Sequence, residues 1–138
     1  LQVIKLYKES ENLTFPKLKF VIIGDGNLRA ALEAEAETLE ISDYVTFLGN
    51  RNDPDVFYPG LDIVALTSLN EGTPLSLIEG MANSRAVIST AVGGVIDLLG
   101  EAKTAESGYT VCERGIRVPL NEKESFLNGL LCLAKDVE

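Results

Sequence analysis

The chain has no histidine, no tryptophan, a single methionine and two cysteines. Each scarcity removes a class of chemistry. Without imidazole there is no His general base and no His-activated nucleophile. A structural zinc site draws about four ligands from Cys, His or carboxylate. Cys112 and Cys132 lack C-x-x-C spacing and have no His to join them, so no bound metal is expected. Both read as small buried hydrophobes in a reducing, cytoplasmic compartment. Basic residues are also few, 12 against 21 acidic ones, for a net charge of −9. Nucleic acid and anionic membrane both reward Lys and Arg, so neither is expected as the main partner, and the acidity serves solubility. No apolar run approaches the ~18 residues of a membrane span. No signal peptide is read. The chain opens mid-pattern at "LQVIKLYKES" without Met and is expected to be a segment of a longer protein.

What is present suits a soluble globule. The 138 residues are 46% apolar and 24% charged. That length matches one domain, able to bury roughly 68% of its unfolded surface. "LKFVII" at Leu18 to Ile23 is a continuous apolar run closed by "GDG", the pattern of a strand buried on both faces. "NLRAALEAEAETLEI" follows, with Leu28, Ala31, Leu32 and Leu39 at helical spacing and an acidic outer face. The alternation continues. "YVTFLG" reads as a strand ending at Gly49, "DPDVFYPG" as a short helical turn and "DIVALTS" as a strongly apolar strand. "PLSLIEGMAN" reads as a helix, "AVIST" as a strand and "GGVIDLLG" as a short helix. "GYTV" and "GIRVPL" read as short strands, and "EKESFLNGLLCLAKDV" as a closing helix. Strands alternating with helices predict an α/β fold, a parallel sheet covered on both faces. Ligands of such sheets sit at the carboxyl ends of the strands. The loops expected there are Gly24 to Gly26, Gly49 to Arg51, Ser68 to Thr73 and Thr90 to Gly94.

The third loop leads into "NEGTPLSLIEG", Asn70 to Gly80. Pro74 suits the first helical position, where its missing N–H is not needed, and pushes Thr73 towards the extended conformation of an N-cap. The N–H groups of Leu75 and Ser76 would then point out of the positive end of the helix, where a phosphate fits. Gly72 permits close approach to the backbone. Glu79 falls about 7.5 Å further along the axis. Ser76, Glu79 and Asn83 share a polar stripe beside an apolar one of Leu75, Ile78 and Ala82. A carboxylate one ribose-length from a phosphate can accept both hydrogen bonds of a vicinal diol. Glu71, across the phosphate position, could reach a group beyond it. The bland alternative is that Glu71 complements a helix dipole and Glu79 is merely solvated.

Other motifs carry less. "GDGNLR" lacks the third glycine of a dinucleotide fingerprint, so Gly24 and Gly26 read as turn residues. Asn52, Asp53 and Asp55 around Pro54 read as a polar turn that starts a helix, too poor in ligands for calcium. Tyr44, Phe47, Phe57 and Tyr58 read as core residues, with no basic patch to make a stacking platform. Glu113, Arg114 and Arg117 read as a solvated loop.

"EGTPLSLIEGMA" followed by "AVISTAVGGVIDLL" resembles the C-terminal, donor-binding domain of retaining GT-B glycosyltransferases, in the family called glycosyl transferases group 1. The likeness runs from about Leu18 onward, with "VIIGDGNLRAALE", "VTFLGNRND" and "LDIVALTSLNEGTP" in family order. It implies a Rossmann-like domain, one half of a GT-B fold, which binds a nucleotide-diphosphate sugar. It also implies metal-independent transfer to an acceptor held by an N-terminal domain that this chain lacks. The fragment alone is then expected to be inactive, and the full-length protein could lie peripheral to a membrane. By resemblance, Glu79 holds the ribose hydroxyls and Glu71 lies near the transferred sugar. Gly72, Thr73, Pro74 and Leu75 form the turn that meets diphosphate and sugar, with Ser76 beside them. Asn50 and Arg51 flank the base, and Gly93 and Gly94 border the donor cleft. Three departures stand out. Gly80 replaces a usual Ala, which should weaken that helix by roughly 1 kcal/mol. Ser84 and Ile96 replace a common Gly and Pro. The strand and basic loop with which the family begins this domain are absent, and Lys5 and Lys8 belong by register to the helix that follows. Rival readings are a nucleotide-sugar epimerase half and a non-catalytic nucleotide-binding module.

Overall fold

The computed structural model describes residues 1–10 and 17–135. They form two compact units, Leu1–Asp53 and Pro54–Glu138, each considered on its own.

The first unit runs α1 (Gln2–Ser10), β1 (Phe20–Ile23), α2 (Arg29–Thr38) and β2 (Val45–Gly49). The two strands pair in parallel, Phe20 opposite Val45. Ile4, Ala36, Ile41 and Val45 form the core, and Tyr7 sets its ring edge against Phe20 and Tyr44. Lys5 and Lys8 lie on α1 as their register requires. Lys5 pairs with Glu9 and Lys8 reaches the Glu40 carbonyl at 2.8 Å. Two expectations need correction. β1 is not buried on both faces: Val21 is 42% exposed, and its partner Thr46 is also exposed. The pair has one covered and one open face, so burial alternates along β2. On α2 the buried residue is Ala36, whereas Leu28 is 63% exposed and Ala31 is exposed too. The end of the helix decides this. Ile41 donates to the Ala36 carbonyl and Glu40 to that of Glu37, with Glu40 left-handed at φ 54°. This is a Schellman turn, whose usual apolar contact joins the residues corresponding to Ala36 and Ile41.

The second unit opens with α3 (Pro54–Phe57) and a 3-10 turn (Tyr58–Gly60). Then come β3 (Ile63–Leu66), α4 (Leu75–Ala82), β4 (Ala86–Thr90), α5 (Val95–Leu99), β5 (Ala102–Ala105), β6 (Thr110–Cys112), β7 (Gly115–Val118) and α6 (Lys123–Lys135). The last residues expected in α6 lie outside the described ones. The sheet order is β3-β4-β7-β6-β5. β3, β4 and β7 are parallel, but β6 and β5 are antiparallel, so the expected parallel sheet is mixed. β5 was not expected from "AKTA", because all four residues are exposed and carry no apolar alternation.

Neighbouring residues of β4 show both faces of this sheet to be covered, since successive side chains on a strand point to opposite sides. Val87, with Val64 beside it in register, belongs to a core with Leu77 of α4 and Val95 and Leu99 of α5. Ile88 and its partner Ile116 pack instead against Gly129 of α6. β4 is therefore buried from Val87 to Thr90, although it ends in Ser and Thr. Cys112 is buried as expected, whereas Cys132 is only half-buried.

Candidate functional site

At the carboxyl ends of β3 and β4 in the second unit, two loops are joined backbone to backbone. Buried Thr90 donates its hydroxyl to the Ser68 carbonyl at 2.6 Å. The Gly94 N–H donates to the Glu71 carbonyl at 3.1 Å. The contact is too close for side chains. A Cβ on Gly93 would lie 1.8 Å from the Glu71 oxygen, and one on Gly94 would lie 2.0 Å from the Gly72 oxygen. Gly93 also has φ +45°, a conformation that L side chains resist. Both glycines thus hold the 71–74 turn from behind. On its other side the turn is open: a Cβ on Gly72 would meet nothing within 4 Å.

The helix start differs from the expected one. Pro74 is the N-cap, Leu75 is the first helical residue, and no side chain caps the helix. Thr73 therefore does not serve as N-cap. Pro74 has φ −78° and ψ 81°, and Leu75 donates its N–H back to the Thr73 carbonyl at 2.9 Å. That is an inverse γ-turn centred on proline. The Leu75 N–H, expected to be free, is therefore occupied. Leu77 and Ile78 both donate to the Pro74 carbonyl, and among the described residues the Ser76 N–H has no protein acceptor.

The apolar stripe of α4 is also displaced. Leu77 and Gly80 are buried, while Leu75, Ile78 and Ala82 are exposed. Gly80 explains the shift. A Cβ there would come within 2.8 Å of Val64 Cγ2, so the helix lies closer to β3 than alanine would allow. The missing methyl that weakens the helix in isolation is what lets it pack. Ser84 has a similar explanation. Arg85 donates to Gly80 and Ser84 to Met81, with Ser84 at φ 57°. Serine thus occupies the left-handed position of a Schellman turn, where Gly is preferred.

Glu79 is exposed on α4 and is held by a residue that sequence reasoning placed only in the core. Tyr58 is 4% exposed. Its hydroxyl lies 2.9 Å from Glu79 Oε2 and 3.2 Å from the Ser76 carbonyl. Burial, and then the bond to Glu79, pushes this hydroxyl up to about 12, so it stays a donor throughout the neutral range. The one available signal was that a buried tyrosine hydroxyl needs a partner. Asn83 turns from the polar stripe to donate to the Glu79 carbonyl at 2.9 Å. Glu71 is half-buried, and its carboxylate has no partner among the described residues.

Asn50 and Arg51 belong to the first unit, where both are exposed just after β2. Arg51 donates from Nε to Asp53 Oδ1 at 2.6 Å, and from its Nη2 to Oδ2. The hydrogen bond from Arg51 holds the Asp53 carboxyl below its ordinary range. Upstream, Gly24 and Gly26 are turn residues as expected, the former at φ 127°. Arg29 reaches Glu33, Asp25 and the Phe47 carbonyl and so ties the "GDG" turn to β2. Among the described residues no three acidic or sulfur side chains come together to hold a metal ion. Nor is any described helix long and apolar enough to cross a membrane.

With this geometry in view, comparison with known proteins is informative. The family model described as glycosyl transferases group 1 matches residues 1–130, extending the likeness upstream of Leu18 to α1. A UDP-Gal:alpha-D-GlcNAc-diphosphoundecaprenol alpha-1,3-galactosyltransferase of Escherichia coli is 30% identical over 127 residues, covering 91% of this chain and 30% of that protein. HepE of Anabaena, solved with UDP and glucose, superposes with a TM-score of 0.73 at 20% identity, covering 99% of this chain and 35% of that one. A mutant of S. aureus TarM, solved with UDP among other ligands, gives a TM-score of 0.78 at 22% identity, covering 97% and 24%. The chain thus has the Rossmann-like α/β fold of half a GT-B enzyme, and spans about a third of the length of these proteins.

Proposed function

This chain belongs to the glycosyl transferases group 1 family, and from that premise we propose that it is the C-terminal, donor-binding domain of a retaining GT-B glycosyltransferase. In this reading the donor is a nucleotide-diphosphate sugar. The diphosphate lies at the 71–74 turn and the start of α4, taking the Ser76 N–H and the positive end of the helix dipole. Glu79 accepts the ribose hydroxyls, and Glu71, whose carboxylate has no protein partner, faces the transferred sugar. Thr73, Pro74 and Leu75 shape the turn. Asn50 and Arg51 flank the base. The acceptor is held by a further domain, the reaction uses no metal, and the enzyme works in the cytoplasm, with or without peripheral attachment to a membrane. During transfer the bond from sugar to diphosphate breaks. A bond to an acceptor oxygen forms on the same face, and the acceptor proton leaves with the nucleotide.

The observation that carries this reading is the pair of glycines, Gly93 and Gly94, holding the 71–74 turn against β4 with its Gly72 side open. Support comes from HepE and TarM, solved with UDP, and from the galactosyltransferase, whose name gives a UDP-sugar donor. Titrating UDP, GDP and ADP into the whole protein tests it. One of them should bind, and Glu79→Ala should weaken it at least tenfold. Binding of none overturns the proposal. Product analysis then separates transfer, with the sugar's anomeric configuration kept, from epimerisation.

A further inference from the structure

Tyr58 stands outside every role assigned above, yet it is the side chain that touches Glu79. It sits in the 3-10 turn after α3, in the core with Val64, Leu77 and Val87, and its ring lies 4.5 Å from that of Phe57. Packing therefore fixes the ring. Its hydroxyl meets the Glu79 carboxylate on one side and the Ser76 carbonyl on the other, spanning the first turns of α4. A glutamate on an exposed helix face samples several rotamers. One tied to a buried phenol through Oε2 does not, and its Oε1 is left to accept from a ligand. Accepting both hydroxyls of a diol needs a carboxylate held in one orientation, because two hydrogen bonds must align together.

Resting on the donor-binding reading above, we propose that Tyr58 is a positioning residue: its buried hydroxyl orients Glu79 for the ribose diol of the nucleotide. Tyr58 touches no substrate and acts through Glu79 alone. Its loss should therefore cost only that part of the binding which the ribose hydroxyls supply.

The test uses the whole protein and whichever of UDP, GDP or ADP binds it, together with the 2′,3′-dideoxy form of the same nucleotide. Tyr58→Phe should weaken the ribonucleotide about fivefold to tenfold, the usual effect of one lost hydrogen bond, and leave the dideoxy form unchanged. Glu79→Ala should weaken the ribonucleotide at least as much, again sparing the dideoxy form. Equal weakening of both nucleotides by Tyr58→Phe, or of neither, overturns the positioning role while leaving the donor site standing. If no nucleotide binds the unmodified protein, both proposals fall. Should Tyr58→Phe not fold, Glu79→Gln answers through the phenol itself. Followed by NMR at its ring carbon, the Tyr58 hydroxyl should titrate at lower pH without the carboxylate. An unchanged titration overturns the contact.

Discussion

The loops that carry the candidate site residues are held by opposite means in the two units. In the second, the 71–74 turn is fixed by backbone lying on backbone, and Gly93 and Gly94 leave no room for a methyl. In the first, the stretch after β2 is held by side chains. Arg51 pairs with Asp53, and Gly49, at φ +69°, has the Arg29 guanidinium 2.6 Å from where a Cβ would stand. A guanidinium on a long stem can swing aside; a carbonyl in a β-bonded loop cannot. The first loop is therefore adjustable and the second is set, which suits a part that meets variable chemistry and a part that meets a diphosphate.

Breaking the rigid side should have the largest effect. Gly94→Ala drives a methyl into the Gly72 carbonyl and should cost ~3 kcal/mol or more, in the range of severe backbone clashes, seen as a lower midpoint in urea with the slope unchanged. Gly80→Ala sets two effects against each other. The helix gains about 1 kcal/mol in propensity, while forcing Val64 aside costs about 1–3 kcal/mol. A net loss of about 1 kcal/mol is expected, and Val64→Ala in the same chain should relieve the clash. A simple gain from Gly80→Ala would show that α4 is not held close to β3. Ser84→Gly should stabilise by about 1 kcal/mol, the cost of a left-handed serine, readable as a higher thermal midpoint. Least of all, Arg51→Ala should leave the thermal midpoint unmoved, because its ion pair is surface-exposed. It should, however, return the Asp53 carboxyl upward to its ordinary range in an NMR titration. A large stability loss at Arg51 would erase the contrast between the loops.

The alternation of apolar strands and Ala- or Leu-rich helices made most of the elements legible in sequence. The errors share a cause. Leu28 and Leu75 are strongly apolar and were assigned to buried faces, but both are exposed, because which face a helix buries is set by how its ends are tied and how near it lies to the sheet. Ala36 is buried through the Schellman turn to Ile41, and Leu77 through the approach that Gly80 allows. β5 was missed because an exposed edge strand of four residues needs no apolar signal. The same applies to the candidate site. Spacing pointed to Glu79, Glu71 and the two glycines. The Tyr58–Glu79 contact joins residues from different elements, and no local pattern records it. Thr73 was misjudged as a cap because a proline can enter a helix through a γ-turn, which satisfies the first N–H without any side chain.

That γ-turn has a mechanical consequence. Proline's ring fixes φ, so the grip of Thr73 on the Leu75 N–H depends on one remaining torsion, the ψ of Pro74. Rotating that single bond would swing one peptide plane and hand a second amide to an incoming anion, while the stiff ring keeps the rest of the bend in place. The latch is one bond wide, and it sits beside an amide, that of Ser76, which already stands open.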